Sequence, residues 1–108
     1  MAPPHAHGAE DEVFVVLDGS GTVELWPSPR DGGERQEHAI HAGSTIARPR
    51  GTHLAHGIKA GPDGLTVLAY GTRDPNDTVC YPRSRKVSLR GVGVIGRLEQ
   101  LDYWDGEE

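Results

Sequence analysis

Glycine and proline are spread so densely through this chain that short strands and turns are favoured over long helices. The 108 residues contain 15 glycines and 8 prolines, and only 35% of them are hydrophobic. Glycine costs a helix conformational entropy and proline removes a helix hydrogen bond, so both divide a chain into short elements. The runs between them, above all 12–17 and 65–70, are rich in β-branched and aromatic residues. The pattern predicts one small all-β domain over residues 1–108, built as a sandwich or a barrel.

The order of runs and breaks predicts where the strands lie. Residues 12–17 and 22–26 are expected to form a β-hairpin through the glycine-rich turn 18–21. Two further strands are expected at 54–59 and 65–70, on either side of a second turn at 61–64. Shorter strands are predicted at 35–41, 44–48, 79–81 and 86–89, a close-packed strand or bend at 91–96, and a short helix or turn near 98–104. The predicted barrel core consists of Phe14, Val16, Leu25, Ile46, Leu68 and Tyr70.

Charge, cysteine content and hydropathy limit the classes of partner. The formal net charge is −5, and no cluster of Lys and Arg is interleaved with aromatic residues, so binding to nucleic acid is not expected. Cys80 is the single cysteine, which rules out an intramolecular disulfide and fits a reducing compartment. No signal peptide and no apolar run long enough to cross a membrane is found. We therefore expect a cytoplasmic protein without a membrane partner.

Two histidines and a glutamate near the start of the chain have the spacing of a metal site. His5 and His7 lie two residues apart, so in an extended segment their side chains point to the same face. Glu12 can return to the same point if the chain turns through Gly8-Ala9. Imidazole nitrogens and a carboxylate oxygen that converge in this way suit a divalent transition metal.

The same segment resembles the first motif of the cupin superfamily. That motif reads H-x-H-x(3,4)-E-x6-G and supplies two histidines and one glutamate to a metal. Here His5, His7, Glu12 and Gly19 match it.

A second stretch resembles the second cupin motif, G-x5-P-x-G-x2-H-x3-N. Gly43, Pro49 and Gly51 match, and two histidines follow them at His53 and His56. Neither histidine stands at the expected distance from Gly51, and the closing Asn is absent. His56 is favoured as the further ligand because the resemblance to the Gly-Thr-x-x-Ala-His pattern of some cupins implies it and because it falls within a predicted strand, and His53 stays an alternative. His38 and His41 are expected to be ordinary surface residues.

The resemblance implies a cupin-like double-stranded β-helix, or jelly-roll barrel. It covers a core of roughly residues 5–72, and residues 73–108 form a C-terminal extension. The strands that cupins carry upstream of the first motif are missing, so the barrel is incomplete at the N-terminus or closes with another chain, or the sequence is a truncated form of a longer one. An unpaired strand edge of this kind also predicts a homodimer.

The implied function is a metal centre of His5, His7, Glu12 and His56 that acts on, or binds, a small polar organic molecule. The donors suit Fe, Mn, Ni, Co or Zn and leave one or two coordination positions open for a ligand. By resemblance, the reactions to consider are those of a dioxygenase, a decarboxylase or an isomerase. A ligand-binding or sensing module without catalysis, and a fragment without independent activity, are the alternatives. Arg48 and Tyr70 are candidates to line the pocket.

Overall fold

The computed structural model describes residues 2–107 and consists of antiparallel strands joined by loops and turns. The strands are β1 (Ala6–His7), β2 (Glu12–Trp26), β3 (Gln36–His41), β4 (Thr45–Arg48), β5 (Ala55–Gly71), β6 (Thr78–Tyr81), β7 (Lys86–Leu89) and β8 (Val94–Arg97). The prediction of an all-β fold is confirmed. Residues 2–107 contain no helix that is long and apolar enough to cross a membrane.

The strands form two sheets that meet near the N-terminus. In the first sheet, β5 runs along one edge of β2, while β3 and β4 share the other edge and pair with the two ends of β2. The second sheet has the order β1-β6-β7-β8. Reciprocal backbone hydrogen bonds of 3.0 Å between His5 and His56 join the segment that leads into β1 to strand β5. The first histidine motif is therefore attached to both sheets.

The predicted hairpin over residues 12–26 is wrong, because β2 passes through 18–21 as one continuous strand. The glycines there serve close backbone approach instead of a turn. Gly19 has a φ of 85°, and a Cβ at this position would lie 2.2 Å from the carbonyl oxygen of Gly64. The pairing of β2 with β5 shifts register on both sides of Gly19, which is the behaviour of a β-bulge.

The predicted turn at 61–64 is also not a turn between separate strands. Gly19 pairs with Leu65 and Gly21 pairs with Ala60, so residues 61–64 stand opposite the single residue Ser20. These extra residues are accommodated as an irregularity within β5, which runs unbroken from Ala55 to Gly71. Both halves of β2 thereby have a neighbouring strand on each edge. A hairpin would instead have paired the two halves of β2 with each other.

The hydrophobic core is formed by side chains from the strands of the first sheet. Its buried members are Val16, Val23 and Ile40, and the partly buried residues packed against them are Leu25, Ile46, Ile58, Leu65 and Val67. The prediction of Leu68 and Tyr70 as core was wrong, since they are 52% and 57% exposed. Leu65 and Val67 turn inward, and side chains alternate along a strand, so Leu68 and Tyr70 point outward.

The C-terminal part builds the second sheet and ends in turns. Residues 94–97 of the glycine-rich stretch form β8, and the stretch predicted as a helix or turn resolves into turns at 103–106. Because β6 pairs with β1, the C-terminal extension holds the strand that carries His7.

Candidate metal centre

Three strands bring the predicted ligands together. His5 and His7 lie immediately before and at the end of β1, and bends at residues 8 and 9 lead the chain back to Glu12, the first residue of β2. His56 lies near the start of β5, opposite His5. All four side chains that the sequence assigned to the metal, His5, His7, Glu12 and His56, are therefore neighbours in the structure.

Glu12 stands at the centre of the group. One carboxylate oxygen, Oε1, lies 2.8 Å from His7 Nε2 and 3.8 Å from His5 Nε2. The other oxygen, Oε2, lies 2.8 Å from His56 Nε2. The ring of His5 is 5.0 Å from that of His7 and 4.7 Å from that of His56, measured between ring centroids.

Several polar atoms of this group are buried without a hydrogen-bond partner among the described residues. They are His7 Nε2, Glu12 Oε2 and His56 Nε2. The nitrogens are close to the carboxylate but are not aligned with it as hydrogen bonds. Buried polar atoms without partners are costly. Ligand atoms of His5, Glu12 and His56 all lie within 4.8 Å of one another, close enough to share one cation, whereas His7 groups by distance with Glu10 and Asp77. The donor set fits a divalent transition metal.

The charges in the group are strongly coupled. Burial by itself would raise the pKa of the Glu12 carboxyl, but the imidazoles around it outweigh burial and hold the pKa well below its ordinary value. Glu12 is also the main reason that the pKa of His7 is raised to about 9, with burial opposing the shift and Asp77 adding to it. His56 is the most enclosed of the rings, and burial lowers its pKa. The site therefore has one firmly ionised carboxylate surrounded by rings that compete for positive charge.

The opposite edge of the His7 ring contacts residues that the sequence did not identify. Asp77 is fully buried, and its Oδ2 lies 2.5 Å from His7 Nδ1 while its Oδ1 accepts a hydrogen bond of 2.8 Å from the backbone N–H of Ala9. Glu10 is buried and forms an ion pair with Arg90. Asp77 lies in a D-P-N-D loop that has the composition of a simple turn, so no local signal marks it.

The alternative ligand His53 stands apart from the group. It is exposed, in the loop before β5, with a φ of 57°. His38 and His41 are exposed on β3, as predicted. Of the two histidines that follow Gly51, the geometry brings His56 and not His53 to Glu12.

The two pocket candidates have different positions. Arg48 is the cross-strand partner of Glu12 and lines a narrow cavity together with His7 and His56. Its Nε is buried without a hydrogen-bond partner among the described residues, and burial lowers the pKa of the guanidinium. Tyr70 lines a cleft of about 280 Å³ on the other side of Glu12, where Thr72 and Arg73 also lie.

A larger and mostly apolar cavity opens directly on the candidate ligands. It has a volume of about 380 Å³, and His5 and His56 form its polar end. Its remaining walls include Phe14, Ile58 and Leu65. A small organic molecule in this cavity would have one end at the imidazoles and the other against hydrocarbon.

Comparison with known proteins identifies the family. The sequence model of the cupin family matches residues 1–91. The chain belongs to the cupin family. The resemblance to the cupin superfamily is thereby confirmed, and so is the cupin-like fold. No curated protein matches this cupin significantly.

Two solved structures show the same fold as this cupin. A proposed sugar phosphate isomerase of Acidithiobacillus ferrooxidans is 28% identical with a TM-score of 0.72, and the match covers 92% of this chain and 62% of the other. A cupin-superfamily sugar phosphate isomerase of Silicibacter pomeroyi is 26% identical with a TM-score of 0.70, covering 89% of this chain and 58% of the other. The chain thus spans about three fifths of the length of these neighbours.

Proposed function

We propose that this cupin binds one divalent transition metal through His5, His7, Glu12 and His56, and acts on or binds a small polar organic molecule at that centre. The observation that carries the proposal is the group of buried, unpartnered ligand atoms around the Glu12 carboxylate. A metal bound there would polarise a carbonyl or hydroxyl oxygen of the ligand. The residues themselves would supply three imidazole nitrogens and one negative charge to the metal, and a mostly apolar cavity adjoins them.

A comparison of two histidine variants tests the metal centre. We expect the purified protein to bind one equivalent of Mn, Fe, Co, Ni or Zn, and His56→Ala to weaken the affinity by roughly 100-fold or more, beyond the loss typical of an outer hydrogen-bond partner. His38→Ala, at an exposed histidine of β3, is the matched control and should bind like the unaltered protein. Isothermal titration calorimetry with metal analysis measures both. Failure of the reconstituted protein to bind any of these ions, or full affinity in His56→Ala, would contradict the proposal.

The substrate class that we propose is a phosphorylated sugar. Support comes from the two neighbours, which are named as sugar phosphate isomerases. It comes also from the polar cleft beside Glu12, where Arg73 and Thr72 offer a cation and a hydroxyl to a phosphate, although the carboxylates of Glu10 and Glu12 line the same cleft. A sugar whose carbonyl end faces the imidazoles could place its phosphate in this cleft.

A binding module without catalysis is the second candidate, and the apolar cavity favours it. Among the residues that line this cavity, His5 and His56 alone can exchange protons near neutral pH, and both are assigned to the metal. Isomerisation through an enediol requires a base that removes a proton beside the carbonyl. Incubation of the metal-loaded protein with sugar phosphates in D2O separates the candidates: formation of the isomeric sugar phosphate indicates an isomerase, deuterium at the carbon beside the carbonyl identifies the enediol route, and binding without product indicates a module.

We further propose that the protein is a homodimer. Beyond the bridge at His56, no strand among residues 2–107 pairs with the outer edge of β5, and Leu68 and Tyr70 are exposed on the same strand. Two identical edges can pair antiparallel about a twofold axis. Light scattering at micromolar concentration should give twice the 11.6 kDa of one chain. Leu68→Glu should shift the mass towards that of one chain. Leu101→Glu is the control, at a similarly exposed residue outside the sheets, and should leave the mass unchanged. A single-chain mass for the unaltered protein would refute the dimer.

A further inference from the structure

We infer that Asp77 is a positioning residue that fixes the ring of His7 for metal binding. The inference rests on the proposed metal centre and extends it to a residue 70 positions away in the sequence. Asp77 does not face the centre itself. It acts through His7, whose other nitrogen lies 2.8 Å from Glu12.

The contacts of Asp77 determine which nitrogen of His7 is free. The fully buried carboxylate of Asp77 accepts at Oδ2 from His7 Nδ1, at 2.5 Å, and at Oδ1 from the Ala9 N–H, at 2.8 Å. A neutral imidazole carries one N–H and one lone pair, so an acceptor at Nδ1 places the proton there and leaves the Nε2 lone pair directed at the centre. A carboxylate at the outer nitrogen also makes the ligating nitrogen more basic.

The second sheet places the ring and the carboxylate in one register. His7 pairs with Val79 of the neighbouring strand β6, and Asp77 is the residue immediately before β6. The Asp77 backbone is held at both ends, since its N–H donates to the Asp74 carbonyl at 3.2 Å and its carbonyl accepts from the Arg90 N–H at 3.0 Å. The loop before β6 and the turn after β7 therefore hold the backbone that carries the Asp77 carboxylate.

A second metal site on this side of the ring is a weaker explanation of the same contacts. His7, Glu10 and Asp77 could hold an ion by distance alone. However, the Arg90 guanidinium forms an ion pair with Glu10 and approaches Asp77 to 4.0 Å. A fixed positive charge within the cluster repels a cation, and both oxygens of Asp77 already have partners. The arrangement is that of a braced hydrogen-bond acceptor.

The variant Asp77→Asn tests the inference through metal affinity. An amide can accept at one oxygen only, so either His7 Nδ1 or the Ala9 N–H must face its NH2 group. We expect the affinity for Zn or Ni, measured by calorimetry, to fall by about 10- to 100-fold. Asp74→Asn is the control, because it removes the same charge three residues earlier, from a side chain whose partner is the Asn76 N–H. Equal affinity in Asp77→Asn and the unaltered protein would overturn the inference.

A second measurement is independent of metal binding and of the variant's folding. The ring nitrogens of His7 in the metal-free, unaltered protein are observed by two-dimensional ¹H–¹⁵N NMR during a pH titration, at the pH where the ¹⁵N shifts show that the ring is neutral. We expect the Nδ1–H form, and Asp77→Asn, where folded, should shift the ring towards Nε2–H. An Nε2–H ring in the unaltered protein overturns the role of Asp77. Failure of that protein to bind metal, with the Nδ1–H form observed, would instead refute the proposed centre.

Discussion

Glu12→Gln is expected to remove metal binding almost completely, by roughly 100-fold or more in affinity and so beyond the effect of any outer hydrogen-bond partner. Glu12 contributes the one negative charge of the group and touches two of its three rings at 2.8 Å. A Gln side chain occupies the same space but brings no charge, and its NH2 group cannot bind a cation. Calorimetric titration with Zn, Ni or Mn measures the loss.

The same variant is expected to change how stability depends on pH in the metal-free protein. The pKa of His7 is raised from 6.5 to about 9, with Glu12 as the main cause. A raised pKa means that the folded state binds the proton more tightly than the unfolded state. The contribution of His7 to the free energy of unfolding is therefore complete below pH 6.5 and is lost as pH rises through about 9. The Tm of the chelated protein should fall over that interval, and Glu12→Gln should make the fall shallower.

The control for both measurements is Glu37→Gln, at a residue of β3 whose carboxylate is 50% exposed and pairs with Arg35 at 3.3 Å. It removes one negative charge without touching the site, so metal affinity and the pH slope of Tm should stay unchanged. Equal metal affinity in Glu12→Gln and Glu37→Gln would contradict the proposed metal centre.

Gly21→Ala is expected to destabilise the fold by about 3 kcal/mol or more, among the larger effects of a single substitution. A Cβ at this position would lie 2.1 Å from the backbone carbonyl oxygen of Lys59. Neither backbone can yield easily, because β2 and β5 pair along most of their length and Gly21 also pairs with Ile40 on β3. Urea denaturation should show a lower midpoint with little change in slope.

Gly96→Ala is the matched control for this clash. Gly96 also lies in a strand, β8, but a Cβ there would meet no atom within 4 Å. We expect its free energy of unfolding to change by no more than about 1 kcal/mol, since such a substitution mainly restricts the unfolded chain. Equal midpoints for the two variants would show that β2 and β5 separate readily at the bulge.

The glycines explain why the strand predictions failed in a systematic way. The segments at 18–21 and 61–64 have the composition of hairpin turns, yet both lie inside long strands. Glycine permits a positive φ at a turn and close approach at a bulge equally well, so composition does not distinguish the two. Which one forms depends on whether each half of the run finds another partner, and here β3, β4 and β5 provide these partners.

The proximity of the candidate ligands was easier to predict than the strands around them. His5, His7 and Glu12 lie within eight residues, so strand alternation and one bend suffice to bring them together. His56 was favoured over His53 by a family pattern and by its place in a predicted strand, and the structure has His56 in β5 and His53 in the loop before it. Leu68 and Tyr70 were misplaced because a strongly apolar run does not indicate which of its two faces is buried.

The sequence by itself determined the all-β class, through its glycine and proline content, and the local part of the site, through spacings short enough for one strand and one bend to fix. Only the tertiary structure decided the contacts made across sheets. Asp77 contacts the outer nitrogen of His7, and Glu10 forms an ion pair with Arg90. The segments predicted to turn at 18–21 and 61–64 instead lie within one long pair of strands, β2 and β5. The physical reason is that strand pairing joins residues irrespective of their separation along the chain, and the pattern of any one segment carries no information about which distant segment will lie beside it.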